Sequence, residues 1–312
     1  MIPHIKRIVE NTTILIHCCN KGPRYAISMK LLLAAVLILA IPCAAISAAE
    51  PIPENAPAQQ NTSSLSDEVG RILDYNAANN IKNGFSPHRP NYLLPITTSN
   101  YNYDRDENEI KFQISVKQRF LRLYGWAWYI GYTQKSFWQA YDESESRPFR
   151  ENNFNPETFM RTKMWNGWRF DLGLEHESNG ESGLLSRSWN RIYFTPYYEN
   201  KYIRFSLKSW YRIPEEEKEN PEDTNGDDNP DIHKYYGYSE LGLTFKIRDL
   251  YLSTMSRWNF RHKKGAFCLE ATIPMYTNSM HWFIQYWEGY GESLIDYDLR
   301  QRKFGFGFMF TR

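Results

Sequence analysis

The most constraining feature of this chain is a two-residue alternation of apolar and polar side chains, which recurs in segments of about ten residues from Asn91 onward. Ile110, Phe112, Ile114 and Val116 are interleaved with Lys111, Gln113, Ser115 and Lys117. Tyr124, Trp126, Trp128, Ile130 and Tyr132 share one parity, as do Leu241, Leu243 and Phe245, and Phe304, Phe306, Phe308 and Phe310. Residues of one parity share a face of a strand, so each segment reads as a strand with one apolar and one polar face. Beyond Asn91 no apolar run reaches the roughly 18 residues that a membrane-spanning helix needs.

Twelve strands are expected, near 91–99, 109–118, 122–134, 157–165, 168–176, 189–199, 201–212, 235–246, 249–258, 266–274, 279–288 and 302–310. Connections near 119–121, 166–167, 200, 247–248 and 275–278 are short, and Asn166-Gly167 is a strong two-residue hairpin signal. Those near 100–108, 136–156, 177–188, 213–234, 259–265 and 289–301 are longer and polar. An even strand number, aromatic strand ends and a short-turn side opposite a long-loop side predict an all-β fold, a twelve-stranded antiparallel transmembrane β-barrel. A soluble β-sandwich also alternates. Aromatics at 16% of residues and an export signal favour the barrel. In a barrel of this size, inward charged faces are expected to fill the lumen and leave no wide pore.

The export signal lies upstream. Arg24 and Lys30 precede an apolar run from Leu31 to Ile41, and Ser47-Ala48-Ala49 offers a small-residue exit. That is the layout of a signal peptide over 29–49, with Met29 as a natural start and 1–28 as a mis-assigned extension. Pro42 and the short core argue against a transmembrane anchor. Residues 50–90 read as a loosely ordered leader with one short amphipathic helix near 67–75, and 91–312 as the barrel. Removal of the signal would leave Cys268 as the sole cysteine, so neither a disulfide framework nor a cysteine metal site is available. A net charge of +1 argues against a nucleic-acid partner.

In the strand near 168–176, Trp168, Phe170, Leu172 and Leu174 are apolar while Arg169, Asp171 and Glu175 are charged. His176 and Ser178 continue the apolar parity, which in a barrel faces lipid. In the next strand Asn190 shares parity with Ile192 and Phe194. Polar groups facing lipid cost free energy unless hydrogen-bonded, so a passive porin gains nothing from them. An enzyme attacking lipid needs a nucleophile there, and serine, histidine and asparagine are the residue types of an acyl-transfer triad. A water-activating protease would use inward acidic–histidine pairs, which this outward parity opposes. The bland alternative is a polar loop base on a passive barrel.

The blocks His176-Glu177-Ser178-Asn179-Gly180 and Ser186-Arg187-Ser188-Trp189-Asn190-Arg191 resemble the signature of the outer-membrane phospholipase A family. Asp227-Asp228-Asn229-Pro230-Asp231-Ile232 and Gly289-Tyr290-Gly291-Glu292-Ser293-Leu294-Ile295-Asp296-Tyr297 extend the resemblance over about 91–312. The resemblance implies a calcium-dependent hydrolase of phospholipid and lysophospholipid acyl esters, active as a homodimer in the bacterial outer membrane at its outer-leaflet side. It implies Ser178 as nucleophile, His176 as base and Asn190 as its orienter, with the main-chain N–H of Ser178 serving the oxyanion. It further implies calcium ligands at Ser186, at the Glu181 carbonyl and at Ser146 from the second subunit, with Asp228 serving the monomer. The bland reading of the run 215–231 is a solvated acidic loop. Gln134, polar on the apolar parity, is the implied dimer contact.

Overall fold

The computed structural model describes residues 85–100, 107–143, 147–220, 222–223, 226–275 and 280–311. The expected extension, signal peptide, 67–75 helix and Ser146 lie outside the described residues. The strands are β1 Phe85–Pro87, β2 Asn91–Ser99, β3 Asn108–Leu123, β4 Trp126–Trp138, β5 Phe149–Thr162, β6 Trp168–Ser178, β7 Ser188–Glu199 and β8 Ile203–Ile213, followed by β9 Ser239–Ile247, β10 Leu250–Asn259, β11 Lys264–Pro274, β12 His281–Gly289 and β13 Gln301–Thr311. One short helix, α1 Ile232–Tyr236, interrupts the β8–β9 connection. From β2 to β13 every neighbour pairs antiparallel, and β13 pairs back onto β2, closing the expected twelve-stranded barrel. Closure leaves no unpaired edge, which a lipid environment requires.

β1 lengthens the wall. Phe85–Pro87 pair with Val116–Gln118 of β3, continuing the line on which Tyr92 pairs with Gln113. Between the two stretches, His88 and Arg89 turn into the lumen, and each places a nitrogen 2.7 Å from Glu157 Oε1. Among the described residues the barrel wall therefore begins at Phe85, inside the stretch expected to be leader.

Other boundaries move as well: β9 begins at Ser239 rather than near 235, because Ile232–Tyr236 are helical and Gly237 ends that helix at φ +67°. The first hairpin turns at Tyr124-Gly125, not near 119–121, with both residues at positive φ (50° and 82°) as a type I′ turn requires. Asn166-Gly167, at 48° and 82°, makes the expected turn of the same kind. A tyrosine in the left-handed region gives no sequence warning, whereas Asn-Gly does. β5 begins at Phe149 rather than near 157, because Glu151, Asn153 and Asn155 are buried on its lumenal parity. Asparagine is depleted in strands generally, and a polar lumen supplies the partners it needs here.

The barrel is polar inside and apolar outside. Leu172, Ile192 and Phe194 are 39%, 41% and 46% exposed, while Arg169, Asp171 and Glu175 are 4%, 2% and 2% exposed. Charged pairs fill the lumen: Arg161 grips Asp171 through two bonds of 2.8 and 2.7 Å, and Lys208 Nζ donates to Glu175 at 2.7 Å. At the loop end an apolar cluster of Trp189, Trp210, Ile232, Tyr236, Leu294 and Tyr297 caps the mouth. A lumenal cavity of about 400 Å3 remains, lined largely by charged side chains. This filling matches the expected absence of a wide pore.

Candidate active site

His176 stands near the loop end of β6, and Asn190 faces it directly across the β6–β7 ladder. Both side chains lie on the outer surface, so ladder register alone brings them together. His176 Nδ1 is 2.9 Å from Asn190 Oδ1. An amide oxygen can only accept, so the ring nitrogen donates and Nε2 is left with its lone pair.

The backbone beneath is held from the β5 side. Pro156 has no N–H to give the ladder, and β5 and β6 are unpaired between Phe154↔Ser178 and Glu157↔Glu175. Asn155 Nδ2 fills the gap by donating to the His176 carbonyl at 2.7 Å. Ser178 ends β6 on the same outer parity. Residues two apart in a strand are separated by about 6.6 Å along the chain, and among the described residues no side-chain hydrogen bond joins Ser178 to His176. Histidine and asparagine are thus assembled, and the serine lies beside them.

The connection from β6 to β7 is organised by Asn179, which is buried and was not singled out from the sequence. Its Oδ1 accepts from the N–H groups of Arg187 at 2.9 Å and Glu181 at 3.3 Å, and its Nδ2 donates to Leu185 O at 2.9 Å. Gly180 follows at φ +74°, where a Cβ would also meet the Phe154 ring at 3.0 Å. Glu181 is exposed on this loop, and among the described residues its side chain makes no hydrogen bond or ion pair to Ser186 or Asp228.

Ser186 and Asp228 are brought together. Ser186 Oγ and Ser188 Oγ each donate to Asp228 Oδ2 at 2.9 Å. Lys218 Nζ sits 2.6 Å from Asp228 Oδ1. Asn229, fully buried, accepts from Ser188 N at 3.0 Å and anchors the acidic loop to β7. So the run 215–231 is not simply solvated. Among the described residues, no group of three or more His, Cys, Asp or Glu side chains is arranged to hold a metal. A cation here would depend on hydroxyl, carbonyl, carboxylate and water oxygens. Such hard donors fit calcium, and an ammonium already resting on Asp228 marks the corner as cation-accepting.

Glu215, like Asn155 and Asn179, was not singled out from the sequence. Its Oε1 accepts from Asn190 Nδ2 at 2.8 Å. Burial pushes its carboxyl above the ordinary value, Asp227 and Asp228 add to the rise, and the Asn190 bond and Arg212 oppose it. Asn190 is only 9% exposed, although Ile192 and Phe194 on the same face are open.

Comparison with known proteins identifies the family. A family model described as Phospholipase A1 matches residues 71–310. The phospholipase A1 of Escherichia coli K12 is 37% identical over 242 residues, spanning 72% of this chain and 80% of that protein. An active-site mutant of E. coli outer membrane phospholipase A, with an asparagine changed to alanine, superposes with a TM-score of 0.66 at 32% identity, covering 75% of this chain and 93% of that one. A Salmonella typhi outer membrane phospholipase, solved as a dimer with bound calcium, superposes with a TM-score of 0.68 at 32% identity, covering 78% and 98%. The chain belongs to the phospholipase A1 family and is a twelve-stranded barrel enzyme of the bacterial outer membrane.

Proposed function

We propose that this enzyme hydrolyses the acyl esters of phospholipids and lysophospholipids with Ser178 as nucleophile, His176 as base and Asn190 as orienter, that it requires calcium, and that it acts as a homodimer. The observation that carries this reading is the His176–Asn190 pair, 2.9 Å apart on a lipid-facing surface. His176 Nε2 takes the Ser178 hydroxyl proton as Oγ attacks the ester carbonyl carbon. The tetrahedral intermediate collapses, and the imidazolium returns the proton to the departing glycerol oxygen. Water, deprotonated by the same imidazole, then frees the fatty acid from Oγ. A rotation of the Ser178 side chain closes the remaining gap, since catalytic hydrogen bonds are often long before substrate is bound. The main-chain N–H of Ser178 serves the oxyanion.

Calcium, when bound, supplies positive charge near the developing oxyanion. Ser186, Asp228 and the Glu181 carbonyl are its proposed holders, with Ser146 contributed by the second subunit. The relative solved as a dimer with bound calcium supports both parts of this reading. Gln134 is the proposed dimer contact. It lies on the outer parity, where its Oε1 accepts from Tyr132 Oη and its Nε2 donates to Ser136 Oγ, both at 3.1 Å. Chelation by EDTA is expected to abolish fatty-acid release from phosphatidylethanolamine in detergent while the far-ultraviolet β signal stays unchanged. Release that persists in chelator would remove calcium from the mechanism.

Lys218 offers a second check. For Asp228 to hold calcium, the Lys218 ammonium 2.6 Å away would have to leave it. Lys218→Met is expected to tighten terbium or calcium binding at least about fivefold, as loss of a largely buried ion-pair competitor worth about 1 kcal/mol or more implies. Equal affinity in the variant and the parent, measured by lanthanide luminescence, would argue that the cation binds elsewhere.

A further inference from the structure

We propose that Glu215 is a positioning residue of the active site: it orients the Asn190 amide, and through it the imidazole, and it supplies the negative charge that an asparagine in the third position lacks. This rests on the triad reading above and extends it by one residue.

The argument begins with register. Ile213, the last residue of β8, faces Asn190 across the β7–β8 ladder. Glu215 lies two residues further on, past Pro214, which returns it to the same outer face. It is thereby carried over Asn190, and this accounts for the burial of Asn190 on an otherwise open surface.

The next step is donor–acceptor logic. An asparagine side chain has an accepting end and a donating end, and nothing in its own shape decides which points where. An ionised carboxylate only accepts. With Glu215 Oε1 2.8 Å from one end of the Asn190 amide, that end is the NH2 group. The oxygen therefore faces His176 Nδ1, at 2.9 Å. The ring proton is then confined to Nδ1, which leaves Nε2 free to accept the serine proton. Remove Glu215 and the amide is free to turn over, presenting NH2 to Nδ1 and favouring the opposite, unproductive tautomer.

The charge acts in the same direction. A carboxylate two bonds along the chain favours the imidazolium that forms as Ser178 attacks. Asp227 is paired with Arg212 at 2.5 Å and Asp228 with Lys218 at 2.6 Å, so among the described residues Glu215 is the carboxylate at this corner that has no ion-pair partner. Neutral asparagine in the third position is thus backed by an acid from a different loop.

The test uses the full chain, refolded in detergent with calcium present. Glu215→Ala is expected to lower kcat about tenfold with KM unchanged, a fraction of the whole general-base contribution. It is also expected to shift the acidic limb of kcat/KM to lower pH and to raise the Nε2–H tautomer population in 15N spectra of labelled histidine. Glu215→Gln, whose own amide can turn over, loses both the charge and the fixed acceptor and is expected to shift the pH limb and to show a mixture of the two tautomers. Glu217→Ala, at an exposed neighbouring position, serves as the control for loop damage. If Glu215→Ala keeps kcat, pH limb and tautomer while Ser178→Ala is inactive, the role of Glu215 is refuted and the triad stands. If Ser178→Ala is itself active, the triad falls and Glu215 with it.

Discussion

Ser178→Ala is expected to cut fatty-acid release from phosphatidylethanolamine vesicles by about 10^4 to 10^6-fold, the range seen when a triad nucleophile is removed. The hydroxyl is the only atom lost, and Ser178 makes no side-chain hydrogen bond among the described residues, so the barrel should fold unchanged. Heat-modifiability on a gel and far-ultraviolet circular dichroism check folding, while a fluorescent acyl substrate checks activity. His176→Ala is expected to fall nearly as far, because members of one catalytic unit do not act additively. Undiminished hydrolysis by folded Ser178→Ala would sink the assignment.

The second large effect is on stability. Glu292, in the β12–β13 loop, accepts from Lys111 Nζ at 2.7 Å and lies 2.9 Å from Lys303 Nζ, with all three side chains almost wholly buried. Truncating one member of a buried ionic group leaves charge uncompensated, at a cost of about 3–5 kcal/mol. Glu292→Ala is expected to lose about that much in urea unfolding of the refolded barrel. Burial alone would raise the Glu292 carboxyl, but Lys111 and Lys303 outweigh it and hold the group below its ordinary value of 4.5. Its contribution is therefore full above about pH 4.5 and is lost as pH falls through the lower folded value. The parent should lose stability on acidification below that point more steeply than Glu292→Ala. Parallel pH curves for the two proteins would show that Glu292 does not carry this term.

The same loop places Leu294 and Tyr297 in the apolar cluster at the barrel mouth. Loosening it should also open the lumen, so single-channel conductance in planar bilayers is expected to rise in Glu292→Ala. The stability result and the conductance result test one network from two sides.

Much of the fold was legible because strand parity is a local property. Phe304, Phe306, Phe308 and Phe310 declare an outward face without reference to any other strand. Asn166-Gly167 declares its turn because both residues tolerate positive φ. Tyr124-Gly125 adopts the same turn without declaring it. β5 was half hidden, since Asn153 and Asn155 belong in a strand only once a polar lumen exists to bond them.

The candidate site divides the same way. That His176, Ser178 and Asn190 share the lipid-facing side follows from counting residues in two consecutive strands. That His176 lies opposite Asn190, rather than one pair along, follows from the β6–β7 register, which a long loop of uncertain path leaves open in the sequence. Asn155 could not be found, because its value lies in standing where Pro156 withholds a ladder bond.

By itself, then, the sequence determined the barrel, its twelve strands, its polar interior and the lipid-facing side of a serine–histidine–asparagine set. All of these are read from the period of two that the pleat imposes on each strand separately. Only the tertiary structure decided what stands behind that set. Glu215 reaches Asn190 from 25 positions away in the chain, and Asp228 reaches Ser186 from 42. Those contacts are made where loops fold back over the barrel rim, and no local periodicity encodes the path of a loop.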